Sequence, residues 1–197
     1  MLTLGLQLIH TPILSLHTGT ILATTKKPII DPDNLKIVAY EIDGANLTTK
    51  PTFVMTNDVR ELSNIGLIID SNDEFIGLED VILVKKLWNL DFDIIGLPVL
   101  TEDKHKLGKI NNYSLDTESF FIHQINVTPG IIKSLAKADI LINRNQIIEI
   151  NNSAIIVKST HQKIEKPANI KETLHYVNPF RSPNVASSDS SSLLMSS

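Results

Sequence analysis

Cysteine does not occur among the 197 residues. Disulfide cross-links, thiolate nucleophiles and cysteine-ligated zinc sites are therefore excluded. Aromatic residues make up only 5% of the chain, and Trp88 is its one tryptophan. There is no surplus of positive charge either, because 18 Lys and Arg stand against 22 Asp and Glu. A nucleic-acid surface concentrates cations to displace counterions from phosphate, so no direct nucleic-acid partner is expected. No apolar run approaches the ~20 residues that cross a bilayer as a helix, which predicts no membrane insertion. The opening residues lack a basic stretch followed by an apolar core and a small-residue cleavage site. Together these absences set the expectation of a soluble cytoplasmic protein.

Signatures of catalysis are missing as well. The chain holds no Gly-x-Ser-x-Gly elbow, phosphate-binding glycine loop or dinucleotide fingerprint. Its six histidines show no paired metal-binding spacing. Asp70, Asp73 and Glu74 begin like a calcium loop, but Phe75 and Val81 occupy the positions that require Gly and Glu. That stretch reads as a solvated turn. Glu102, Asp103 and His105 read as a hairpin tip, and His123 as a hydrogen-bonded structural histidine in an apolar strand. Asp91 and Asp93, two apart, read as neighbours on one strand face. The expectation is a protein that is no enzyme, with no catalytic residue, no cofactor and no metal.

What the chain does have is Ile, Leu and Val in short runs broken by turn residues, the pattern of a mainly β protein. Strands are expected over 2–8, 37–42, 52–55, 67–70, 75–76 and 81–84. A second series is expected over 91–100, 107–115, 120–127, 140–142, 146–148 and 154–157. Pro28 and Pro98 lie 70 residues apart, as do Lys36 and Lys106, which suggests a duplicated hairpin unit. Each unit is given one short helix. In the first it spans 57–66, capped by Asn57 or Asp58 and ended by Gly66; in the second it spans 128–135, capped by Thr128 with Pro129 in its first turn.

Gly96-Leu97-Pro98-Val99, a polar turn, and then Leu107-Gly108-Lys109-Ile110 resemble the motif of the PRC-barrel family. That fold occurs in the cytoplasmic part of the photosynthetic reaction-centre H subunit and in the C-terminal domain of the ribosome maturation factor RimM. The resemblance implies two tandem PRC-like β-barrels, over 1–87 and 88–160. A tail follows over 161–197, which is Ser-rich and expected to be disordered from 182, where eight of the last sixteen residues are Ser. The family has no shared catalytic residues, so the resemblance implies a binding or scaffold role through protein contacts. A RimM-like ribosome-assembly factor is the first alternative, and an unrecognised enzyme or metal protein the second. Trp88 at the junction of the repeats, and Tyr176, Phe180 and Arg181 in the tail, are residue types favoured at binding hot spots. They are the candidate protein-binding residues, with Trp88 expected to pack where the two units meet.

Overall fold

The computed structural model describes residues 1–130 and 139–159. Tyr176, Phe180, Arg181 and the Ser-rich tail lie outside the described residues. So does most of the helix expected over 128–135. Thr128 and Pro129, expected to cap and open it, end a strand instead.

Among the described residues, fourteen strands make two sheets. The first sheet contains β2 (Pro12–Ser15), β3 (Ile21–Asp31), β4 (Lys36–Asp43), β5 (Thr52–Met55), β6 (Glu61–Ser63), β7 (Gly66–Ile69) and β8 (Phe75–Gly77). The second contains β1 (Leu2–Leu4), β9 (Pro98–Thr101), β10 (Lys106–Asp116), β11 (Ile122–Pro129), β12 (Ile140–Asn143), β13 (Ile147–Ile150) and β14 (Ile155–Val157). The fold is mainly β, with one α-helix among the described residues, α1 (Ile82–Leu90).

The first sheet runs β6-β7-β2-β3-β4-β5-β8, and the second runs β13-β14-β9-β10-β11-β12 with β1 against β10. Neither sheet closes on itself among the described residues. Five pairings recur in the same order and sense. Parallel β2·β7 matches parallel β9·β14, and the antiparallel pairs follow on either side. The equivalent strands β2 and β9 begin at Pro12 and Pro98, with the similar runs Pro12-Ile13-Leu14-Ser15 and Pro98-Val99-Leu100-Thr101. The 70-residue offset is thereby corrected, since Pro28 lies on β3 and Pro98 on the non-equivalent β9. His10 and Gly96 precede these prolines, and both adopt positive φ, at 60° and 82°.

Of the strand expected over 2–8 only Leu2–Leu4 is extended, with a 3₁₀ turn at Gly5–Leu8, and of that expected over 91–100 only the part from Pro98. Two further segments change the type of element. At 57–66 the chain makes a 3₁₀ turn, Thr56–Asp58, and then the β6–β7 hairpin. Val59 and Leu62 offer too narrow an apolar stripe, over too few residues, to stabilise a helix. Extended backbone gains the pairings of Glu61 with Ile68 and Ser63 with Gly66 instead. Gly66 is not a helix stop. Its φ is +142°, and a Cβ there would lie 2.2 Å from the Pro12 carbonyl oxygen, so glycine lets β2 run beside β7. Gly66→Val is expected to destabilise the fold by about 2 kcal/mol or more, read as a lowered denaturant midpoint.

Residues 81–84 show the converse error. Their apolar run reads as a strand, yet Ile82–Leu90 is α-helical. Val84, Leu87 and Trp88 fall at i, i+3 and i+4, so a helix puts all three on one face. A bulge at Val38, where Ile29 pairs with Ala39 and Ile30 with Ile37, breaks the alternation of β4, so that Ile37, Tyr40 and Ile42 join the main core and Val38 and Ala39 the opposite face. On that opposite face α1 covers Ile29, Val38 and Phe53. Asp91 ends the helix in a left-handed conformation, φ 49°, and is not a strand residue facing Asp93. The Asp93 carboxylate instead accepts a hydrogen bond from the Ile95 amide at 2.9 Å, a turn role.

The main core draws on both halves of Met1–Thr160, which form one compact unit. From the first sheet come Ile13, Ile37, Tyr40 and Leu67, and from the second Val99, Ile110, Ile122 and Val127. In the β10–β11 hairpin, Gly108 meets the same need as Gly66, because a Cβ there would be 2.0 Å from the Thr128 carbonyl oxygen.

Candidate functional site

The long hairpins β3–β4 and β10–β11 have matching tips. Asp31 and Asp116 open them, and each carboxylate accepts hydrogen bonds from its own turn, from the Asp33 amide at 3.0 Å and the Ser119 amide at 2.9 Å. The Ser119 bonds hold the Asp116 carboxyl well below the usual range. Leu35 and Phe120 close the tips at positive φ, 48° and 58°, and both are buried. Bulky residues rarely adopt that backbone, so tertiary contacts must hold it there.

Those contacts lie between the two tips. The Ile37 amide donates to the Phe120 carbonyl at 3.0 Å, and the Ile122 amide donates to the Leu35 carbonyl at 2.8 Å. This exchange is reciprocal, as in an interface between like partners. Phe120 meets Tyr40 edge-on, with ring centroids 6.5 Å apart. Burial pushes the Tyr40 hydroxyl well above its ordinary pKa, so it stays neutral. Strand β1 adds a further tie by pairing Leu4 with Ser114.

A cleft opens on either side of this seam, each between a hairpin tip of one sheet and the short hairpin of the other. One, about 490 Å³, has Met1, His10, Leu62, Ile65 and Thr117 in its walls. The other, about 380 Å³, has Asp33, Arg144, Ile148 and Glu149. Clefts between units are common places for a ligand or partner.

Trp88 does not sit at the seam, contrary to the expectation from sequence. Its indole packs edge-on against Phe53, with centroids 5.3 Å apart, and the Lys27 ammonium lies 5.8 Å from its ring centre. Lys27 also pairs with Asp91 at 2.6 Å, which holds the Asp91 carboxyl below its usual range. Trp88 is half-buried and clamps α1 to the first sheet. The helix face turned to solvent then shows Ile82 at 87% exposure, with Leu83 and Leu90 at 43% and 39%. Lys86 lies between Ile82 and Leu90 on the same stripe, because residues four apart align along a helix. Sequence reasoning missed this stripe because it read 81–84 as a buried strand.

The remaining candidates settle into local roles. Both oxygens of Asp70 are taken by Arg60, at 3.0 and 2.5 Å, and Ser71 caps the 3₁₀ turn Asn72–Glu74. His123 is exposed on β11, not a hydrogen-bonded core histidine, because its neighbour Ile122 takes the inward position. Asp103 accepts a hydrogen bond from Ser159 at 2.7 Å near the exposed β9–β10 tip. No helix among the described residues is long and apolar enough to cross a membrane.

Residues 90–164 match the family model of the PRC-barrel domain. The match spans the Gly96-Leu97-Pro98-Val99 and Leu107-Gly108-Lys109-Ile110 stretches and bears out the resemblance for this part of the chain. No curated protein matches the chain.

Proposed function

We propose that the chain, whose residues 90–164 are a PRC-barrel domain by family match, is a non-catalytic binding or scaffold protein of two PRC-like units in tandem. Support for the second unit comes from the first sheet, whose pairing order and Pro12 run parallel those of the matched half. The reciprocal tip bonds make the pair a single body, and its outward surfaces are left for partners. Protein–protein contact is the activity.

The observation that carries this reading is the solvent face of α1. Three large aliphatic side chains stand exposed on a helix held rigidly from beneath by Phe53 and Trp88. A rigid apolar stripe binds without first ordering itself, which favours a protein partner. Affinity capture from the native extract, with the intact chain and an Ile82→Glu/Leu83→Glu variant as baits, tests it. Acidic residues suit the first turn of a helix, so the variant should keep its melting temperature and Trp88 emission. A protein held by the intact chain and lost by the variant is expected. Equal capture by both removes α1 as the contact, and no enrichment over bare resin sinks the binding reading itself. Co-sedimentation of the captured protein with small-subunit precursors would select the ribosome-assembly alternative.

A further inference from the structure

We propose that Lys36, Phe121 and Arg144 form a carboxylate-binding shelf at the seam, on which a partner protein docks an acidic, aliphatic segment. This rests on the protein-binding reading above and names a second contact, apart from α1. The Lys36 ammonium lies 5.7 Å from the centre of the Phe121 ring, and the Arg144 guanidinium carbon 5.0 Å from it. An aromatic ring attracts each cation, but two like charges on one ring repel each other. Among the described residues neither is neutralised by an ion pair, whereas Lys26, Lys27, Lys50, Arg60 and Lys85 each have a carboxylate partner. Lys36 donates only to the neutral Asn57 amide oxygen, at 3.1 Å. The shelf therefore holds positive charge that an incoming carboxylate would balance.

Its parts are fixed by backbone. Lys36 and Phe121 form an antiparallel bridge at the joined tips. Arg144 begins a 3₁₀ turn closed by a capping box between Asn143 and Gln146. A guanidinium so placed presents its fork of donors to a carboxylate in a set orientation. The 380 Å³ cleft begins at Arg144 and continues past Ile147 and Ile148, the latter 50% exposed. A carboxylate on the shelf would thus lie next to an aliphatic side chain in the cleft. Asp33 and Glu149 line the same cleft and make no ion pair with Arg144, and Glu149 accepts instead from the Asn151 side-chain Nδ2 at 3.0 Å. These two carboxylates disfavour a densely anionic polymer such as nucleic acid, while one acid among aliphatic residues avoids them. That charge pattern selects a peptide segment over a phosphate backbone.

The test is selection of a displayed random-peptide library on the full chain, followed by affinity measurements on the enriched peptides. Enriched sequences should place Asp or Glu beside Leu, Ile or Val. Arg144→Gln and Lys36→Gln should each weaken binding by about tenfold or more, Ile148→Asp similarly, and the exposed Lys109→Gln not at all. Phe121→Leu keeps both charges and should weaken binding by releasing them from the ring. Melting temperatures of all variants confirm folding. The proposal is overturned by peptides without an acidic residue, by undiminished binding to Arg144→Gln, or by no enrichment. A labelled single-stranded oligonucleotide that outcompetes the peptides at the same residues overturns it too. Capturing the native protein partner with Arg144→Gln separates the two readings: retained capture with a negative selection removes the shelf but leaves the scaffold role.

Discussion

Phe120→Ala is expected to lower stability by about 3–5 kcal/mol, the usual cost of emptying a buried phenylalanine site. Phe120 is 2% exposed, packs edge-on against Tyr40 across the seam, and offers its carbonyl to Ile37. The loss should fall on both halves together, because Tyr40 and Ile37 belong to the first sheet and Ile122 to the second. Hydrogen-exchange protection of amides in β4 and in β11 should drop by similar factors. A loss confined to β10 and β11 would mean that the tips touch without coupling the sheets.

Phe53→Ala is the second large effect, again about 3–5 kcal/mol, since Phe53 is fully buried between the first sheet and α1. Its distinguishing sign is spectroscopic. With Phe53 gone the indole loses its edge-on partner, and Trp88 emission should move to the red before global unfolding. Capture through the α1 stripe should weaken along with it, because a loosened helix must be ordered on binding. Unchanged emission in a folded variant would show that Leu87 and Val84 hold the helix without the aromatic pair.

Much of the β framework was legible in the sequence because it is written locally. Ile37 to Ile42 is a short run of strand-forming residues, Pro32 and Asn34 are turn formers, and Gly96, Pro98 and Gly108 punctuate the β9–β10 hairpin. The helix was not legible for the same reason. Val81, Ile82, Leu83 and Val84 have strand propensity, and only the covered residues Ile29, Val38 and Phe53, far upstream, show why a helix forms. The repeat register failed on one substitution. His10 stands two residues before Pro12 where Gly96 stands two before Pro98, so the Gly-x-Pro signal is missing at Pro12 and Pro28 was matched in its place. Comparing the run after each proline, Ile13-Leu14-Ser15 with Val99-Leu100-Thr101, would have found it. The seam could not be read at all. It consists of backbone bonds between two tips, and the residues that make it, Leu35 and Phe120, adopt a conformation their side chains disfavour.

The most direct test of the account is calorimetry of the intact chain beside Phe120→Ala. Two sheets sharing one core and reciprocally bonded tips should unfold in one cooperative transition, with calorimetric and van't Hoff enthalpies equal. In the variant that single transition should move as a whole to lower temperature. Two separable transitions in the intact chain, or a variant in which only one of them moves, would contradict it: the halves would then be independent units and not one body.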